Sequence, residues 1–274
     1  MDSSDSKDWY KAAFGAHYPV LYRHRDDAEA RSCLELLPQL APQAAPTSDL
    51  VLDLGCGDGR HAAWLQSNGI PVVGLDLSKH LLQAAHQRAT DDPLNLVRGD
   101  MRLLPFASST FGSVLSLFTA FGYFNDTAAN TAPVAEIGRV LVAGGHWFLD
   151  YLNSDLVLAE LGDGEPRARL REIDCLQVKE TRRFVTGGNK VTKRVELSAL
   201  AGFEAAAERI GVPGSGLTYT EQVQLFSLSE LDEMAASASM TRVASAGSYD
   251  GLPLGEGKRW ILVYQKEEVS RHGI

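Results

Sequence analysis

The sequence predicts an α/β fold built on a mostly parallel sheet, with an N-terminal helical cap and a small inserted antiparallel sheet. Three observations carry this. From Leu50 to Leu152, short buried apolar runs alternate with helical patterns, the signature of right-handed βαβ units whose sheet is covered on both faces. The first run leads straight into a glycine-rich loop, VLDLGCGDGR (51–60). After Asn153 the rhythm changes to the period-two alternation of antiparallel strands. With 274 residues, 45% of them hydrophobic and 22% charged, the chain can bury a sizeable core.

Taken in order, residues 1–40 read as helical, and in Asp26–Leu40 the residues Ala28, Cys33, Leu34, Leu37 and Leu40 recur near helical spacing, with Pro38 marking the end. The stretch 41–49 is a Pro/Ala connector. VLDLG is a strand, HAAWLQSNG a helix closed by Asn-Gly, PVVGLDLS a second strand and KHLLQAAHQRA a second helix. LNLVRGD, FGSVLSLF, a helix within Thr127–Val142, a turn at Gly144–Gly145 and HWFLDYL complete the alternation. Residues 169–198 alternate about Thr186-Gly187-Gly188-Asn189, which predicts a hairpin between CLQVKETRRFV and KVTKRVEL. A third strand, TYTEQVQLFSL, follows the loop 211–216. SLSELDEMAASASM opens with a capping box at Ser227 or Ser229, and TRVASAGSYDG and KRWILVYQK are two closing strands. The expected division is a cap over 1–47, a ligand-binding domain over 48–153 and 227–274, and an auxiliary insert over 154–226.

Composition narrows the function. Twenty-six Lys and Arg against 35 Asp and Glu give a net charge of −9, so bulk charge does not draw this chain to nucleic acid or an anionic membrane. The longest apolar stretch, Val114–Phe124, is broken by Ser116, Thr119 and Gly122 and is too short to span a bilayer. The N-terminus MDSSDSKDWY is polar and acidic, unlike a secretory signal. Cys33, Cys56 and Cys175 are scattered, which argues against a zinc site or a disulfide framework. A cytoplasmic location is expected.

The glycine loop is the strongest feature. Gly55, Gly57 and Gly59 remove side chains where the backbone must turn tightly, and the helix that follows aims its free N–H groups at the same place. A dinucleotide fingerprint would carry its third glycine at position 60, which is Arg60, and there is no phosphate-binding Lys motif. Acids stand at the ends of successive strands: Asp53 before the first glycine, Asp76 21 residues after Gly55, and Asp100 after the third strand. In an open α/β sheet these ends face the ligand crevice. There Asp76 can accept both hydroxyls of a ribose, Asp100 an adenine amino group beside the apolar Met101, and Asp53 an ammonium through water.

At these residues the sequence resembles the class I S-adenosylmethionine-dependent methyltransferases, through VLDLGCGDGR, VGLDLS, RGDM…LPF and EIGRVLVAGGH. The resemblance covers about 48–152 closely and 227–266 in outline. It implies a Rossmann-like seven-stranded sheet in the order 3-2-1-4-5-7-6 with the last strand antiparallel, and S-adenosyl-L-methionine as cofactor. It further implies that Gly55, Cys56, Gly57 and Gly59 lie under the methionine part. Asp76, with Leu77 beside it, holds the ribose; Asp100 and Met101 flank the adenine, and Leu117 and Phe118 line the floor near the sulfonium. Gly112 and Ala143 depart from the usual Asp and Pro, away from the cofactor.

The acceptor is less legible. FTAFGYF after the fourth strand is not the type that grips a nucleobase amine, no Pro-Cys pair supplies a thiolate, and Asp150 and Asn153 alone do not complete a magnesium site. AHYPVLYRHR (16–25) resembles the N-terminal segment of small-molecule members, so Tyr18, Tyr22 and Tyr123 are the candidate catalytic residues and Arg25 a candidate partner of the cofactor carboxylate. The same tyrosines at spacing four equally form a packing stripe. His17, His24 and His146 read as ordinary helix or strand-edge residues. Residues 165–196 carry nine Lys and Arg and five Asp and Glu, a charge of +4 that leaves −13 for the rest, the pattern of a solvated strand face rather than of a lid for anions. The expected function is methyl transfer to an O or N atom of a small molecule, with a homodimer as the candidate assembly. The alternatives are a non-catalytic S-adenosylmethionine-binding regulator and, against Arg60, a nicotinamide oxidoreductase.

Overall fold

The computed structural model describes residues 9–23, 27–42, 50–88 and 92–268. Its elements run α1 (Trp9–Ala13), α2 (Tyr18–Leu21), α3 (Asp27–Leu40), β1 (Val51–Leu54), α4 (Arg60–Ser67), β2 (Val72–Asp76), α5 (Lys79–Arg88) and β3 (Asn95–Arg98). Then come β4 (Phe111–Ser116), α6 (Thr127–Val140), β5 (Leu141–Leu152), α7 (Ser154–Leu161), β6 (Arg167–Ile173), β7 (Leu176–Val185) and β8 (Lys190–Ala199). The chain closes with α8 (Glu204–Arg209), β9 (Leu217–Gln224), α9 (Leu228–Ser237), β10 (Met240–Ala246) and β11 (Arg259–Lys266). The described residues fall into two compact units, one made of 27–42, 50–121, 126–153 and 226–268, the other of 9–23, 122–125 and 154–225. No described helix is long and apolar enough to cross a membrane.

The larger unit holds a seven-stranded sheet in the order β10-β11-β5-β4-β1-β2-β3. Counting this sheet's strands alone, β10 is sixth and β11 seventh, so the order is the expected 3-2-1-4-5-7-6. The pairings β5·β4, β4·β1, β1·β2 and β2·β3 are parallel, and β11 runs antiparallel to β5 and β10. The central strands are apolar on both faces because helices cover both: every residue of β1 and β4 is buried. Helix α9 starts with the expected capping box, Ser227 accepting from the Glu230 N–H while the Glu230 carboxylate accepts from the Ser227 N–H.

Two expectations are corrected here. Pro38 lies inside α3, which runs on to Leu40, because in the last turn a missing N–H costs one intrahelical bond rather than breaking the helix. And α3 does not belong to an N-terminal cap over 1–47: Cys33, Leu34, Leu36 and Leu37 pack into one core cluster with Val51, Leu65, Val72, Phe148 and Ile261.

The smaller unit is a four-stranded antiparallel sheet, β6-β7-β8-β9, with α1, α2, α7 and α8. The hairpin β7–β8 and the strand β9 stand where the alternation put them; β6, α7 and α8 are additions to that reading. Residues 122–125 belong to this unit through polar bonds: the Gln224 N–H donates to the Gly122 carbonyl at 2.8 Å, Lys190 Nζ to the Asn125 carbonyl at 2.8 Å and Trp9 Nε1 to the Tyr123 carbonyl at 3.2 Å.

Candidate active site

The carboxyl ends of β1, β2, β3 and β4 meet at the glycine loop. Gly55, Gly57 and Gly59 all have positive φ (+78°, +57° and +77°), so the loop conformation itself calls for glycine. The three differ in what a side chain would meet. A Cβ on Gly55 would lie 2.8 Å from the Ala120 Cβ, and one on Gly59 2.8 Å from the Ala85 Cβ and 2.9 Å from Leu94 Cδ1. At Gly57 the nearest atom, Leu81 Cδ1, is 4.0 Å away. Gly59 therefore serves close packing of α4 against α5, and Gly57 is the glycine with open space beside it. The Cys56 side chain is buried, with its sulfur over Gly74 of β2, so at this position only the backbone can serve a ligand.

Asp53 is 1% exposed, and its Oδ2 has no hydrogen-bond partner among the described residues. Burial pushes its carboxyl up to about 7, against the pull of the nearby Arg60 guanidinium. Asp76 accepts the Gly57 N–H at 2.9 Å and the Ser78 N–H at 2.7 Å, one on each oxygen. Burial raises its pKa, and these backbone donors oppose the rise. Each oxygen keeps a second lone pair for a hydroxyl. Asp100 is gripped by Arg102, whose Nη2 lies 2.6 Å and Nε 3.0 Å from its oxygens. Met101 extends its methyl group over Gly55. Leu77 is half-buried, and its carbonyl accepts from Arg98 Nε at 3.1 Å.

At the end of β4, Leu117 is 5% exposed and packs into the core cluster. Phe118 and Thr119 are both in the left-handed region (φ +54° and +62°), an uncommon arrangement for non-glycine residues that clusters at functional sites. The Phe118 ring lies 4.2 Å beneath the Arg60 guanidinium and 5.2 Å from the His61 ring. Burial lowers the His61 pKa well below the ordinary value, so this imidazole is neutral at pH 7. Asp150 is fully buried, and Arg259, Tyr249 and the Phe118 N–H occupy its oxygens.

In the smaller unit the candidate tyrosines form one aromatic cluster. The Tyr18 ring lies tilted 4.5 Å from that of Tyr22 and edge-on 5.1 Å from that of Phe14, and Tyr123 lies 5.3 Å from Trp9 and 5.7 Å from Phe14. The Tyr22 hydroxyl donates to Glu221 at 3.0 Å and accepts from Lys193. Lys193 pairs with Glu221 at 2.6 Å, and Glu180 pairs with Arg171 at 3.0 Å. Tyr219, 6% exposed and with its ring 5.4 Å from that of His17, has no hydrogen-bond partner for its hydroxyl among the described residues. Arg25 and His24 lie outside the described residues.

Residues 51–145, which contain the loop and the strand ends, match a family described as methyltransferase domain. Over these residues the chain carries a methyltransferase domain of the S-adenosylmethionine-dependent kind. A dTDP-3-amino-3,4,6-trideoxy-alpha-D-glucopyranose N,N-dimethyltransferase from Streptomyces venezuelae is 26% identical over 264 residues, 94% of the methyltransferase and 96% of that protein. A cypemycin N-terminal methyltransferase from a Streptomyces species is 28% identical, over 78% of this chain and 81% of its own. Among solved structures, the CcbJ methyltransferase of Streptomyces caelestis shares the fold at TM-score 0.73 and 18% identity, over 94% of this chain and 99% of that one. The site suits the cofactor: the open side of Gly57, the spare lone pairs of Asp76 and the unpartnered Oδ2 of Asp53 match a molecule with a ribose and an ammonium.

Three groups at this site were missed in the sequence. Arg60 was weighed only as a missing glycine, although it caps Phe118. Arg259 opens the last strand with no motif around it. Arg88, at the end of α5, fixes the loop from outside by donating to the Asp58 carbonyl at 3.1 Å and its carboxylate at 2.6 Å.

Proposed function

We propose that this methyltransferase transfers the methyl group to a nitrogen or oxygen atom of a diffusible small molecule, with an amine as the leading class. The observation that carries this is the extent of the likeness. The cofactor motifs lie within 51–145, yet the S. venezuelae amino-sugar N,N-dimethyltransferase matches across 94% of the chain, through the residues of the auxiliary unit as well. A Streptoalloteichus sugar N-methyltransferase shares the fold over 98% of this chain at TM-score 0.67. The net charge of −9 supports acceptors other than nucleic acid, and the proposal includes a cytoplasmic location.

S-adenosylmethionine supplies an already activated methyl group on a sulfonium. The task left to the chain is to hold, align and exclude water. In this reading Asp76 accepts the ribose hydroxyls, Asp53 pairs in its ionised form with the ammonium, and Gly57 leaves room for the methionine part. Asp100 exchanges part of its grip on Arg102 for the adenine amino group, with Met101 as the apolar wall. Tyr18, Tyr22 and Tyr123 act as acceptor walls and clamps. A tyrosine hydroxyl with an ordinary pKa near 10 is a poor base at neutral pH, and that of Tyr22 is already engaged.

The test is incubation of the full chain with labelled cofactor and a metabolite library, read by mass. Label on small-molecule amines or hydroxyls is expected. Cofactor binding by titration without any labelled small molecule would overturn the proposal and leave the non-catalytic regulator.

A further inference from the structure

The floor of the larger unit contains a buried ion pair that the methyl-transfer chemistry does not use. Asp150 on β5 is fully buried, and Arg259 at the start of β11 pairs with its Oδ1. Its Oδ2 accepts the Tyr249 hydroxyl and, at 2.7 Å, the Phe118 N–H. Its backbone carbonyl accepts the Thr119 N–H at 2.9 Å, and Arg259 Nη2 donates to Thr119 Oγ1, also at 2.9 Å. The two residues held this way, Phe118 and Thr119, are the consecutive pair with positive φ. For side chains with a Cβ that backbone is unfavourable by about 1–3 kcal/mol per residue, so it persists only where the surroundings impose it.

What the strained turn touches gives it a purpose. Ala120 brings its Cβ to within 2.8 Å of where a Gly55 Cβ would stand, and the Phe118 ring sits between the guanidinium of Arg60, 4.2 Å away, and that of Arg259, 5.6 Å away. Both Gly55 and Arg60 belong to the glycine loop. Burial and then Asp150 raise the Tyr249 pKa, and Asp150 holds the Arg259 pKa above its ordinary value although burial opposes the charge. The Tyr249 hydroxyl and the Arg259 guanidinium therefore keep their protons through the neutral range.

We propose that Asp150, held by Arg259 and Tyr249, is a positioning residue for cofactor binding. It keeps the Phe118–Thr119 turn left-handed, so that Phe118 and Ala120 brace the glycine loop in the shape the cofactor requires. It takes no proton from the acceptor and touches neither reactant.

The experiment needs no acceptor, so its outcome is separate from the acceptor proposal. The full chain is titrated calorimetrically with S-adenosylmethionine, and amide hydrogen exchange is followed in the cofactor-free protein. Arg259→Lys, which keeps the charge and loses the fork, should weaken cofactor binding about tenfold among folded molecules and speed exchange at the Phe118 and Thr119 amides. Adding Thr119→Asn to Arg259→Lys should recover most of the affinity, because Asn tolerates the left-handed backbone better than Thr. If Arg259→Lys does not fold, Tyr249→Phe is read in the same way, since it removes a single hydroxyl. A lower melting temperature with unchanged affinity, or no recovery on adding Thr119→Asn, would show a purely structural ion pair and overturn the proposal.

Discussion

The two sheets handle buried charge differently. In the small sheet, charges sit in the middle of a strand face and arrive balanced: Arg171 with Glu180, Lys193 with Glu221, and Tyr22 bonded to the second pair. In the large sheet the carboxylates are confined to the carboxyl ends of strands. There Asp150 is closed off by Arg259, while Asp53 keeps an unused oxygen and Asp76 is met only by backbone donors. A buried carboxylate whose oxygens are all engaged can only hold structure. One with capacity in hand bears a desolvation cost that an incoming cation or hydroxyl can offset, and that makes it a binding group.

The largest effect that would break this contrast is at Asp76. Asp76→Ala should lose about 1.5–3 kcal/mol for each ribose hydroxyl bonded to the charge, hence a hundredfold or more in S-adenosylmethionine affinity by titration. Unchanged affinity would put the ribose elsewhere. In the small sheet, Lys193→Met should act on stability. With Lys193 19% exposed and Glu221 16% exposed on their side chains, it leaves the half-buried Glu221 without its cation and should cost about 3 kcal/mol in denaturant unfolding. A loss below about 0.5 kcal/mol would mean that water screens this network as it screens a surface pair.

A finer division runs within the glycine loop. Gly59→Ala combines a positive φ with two collisions under 3 Å and should lower stability by about 2–3 kcal/mol. Gly57→Ala, with open space around it, should cost only about 1 kcal/mol in stability and act instead on cofactor binding. Melting curves and titrations of the two variants would separate them, and equal effects would erase the assignment of Gly57 to the ligand side.

The smallest effect concerns pH. The folded value of Asp53, about 7, lies above the unfolded carboxyl value of about 3.9. The folded chain thus holds this proton more tightly, and the stability it confers is complete below the unfolded value and lost as pH rises through about 7. A cofactor ammonium pairs with the ionised form, so the cofactor-induced rise in melting temperature should grow between about pH 6 and pH 8. Asp53→Asn should flatten that growth; the same slope in the variant would remove Asp53 from cofactor binding.

The contrast also explains what could be read in advance. Strands β1 and β4, buried at every residue, announce themselves through their apolar side chains, and the glycine loop through φ values that demand glycine. The edge strand β6 is mostly exposed and reads RARLREI, so its charges resemble a solvated loop. Pro38 misled because a proline in a last turn is tolerated. Asp150 was visible as an acid at a strand end, but its role depends on Arg259, 109 residues later. A pairing over that separation leaves no periodicity to detect.

One feature of the smaller unit bears on how the protein comes to exist. Helix α1 packs on β9, and the Tyr22 hydroxyl meets Glu221 across 199 residues of sequence. A ribosome adds about 5–20 residues per second, so Trp9, Tyr10, Phe14, Tyr18 and Tyr22 wait roughly 10–40 s after synthesis for their strand to emerge. Through that interval an aromatic-rich segment is without the surface that covers it, and it is open to chaperones or to another nascent copy. The yield of correctly assembled enzyme in a cell should therefore depend on translation rate and chaperone supply as well as on final stability.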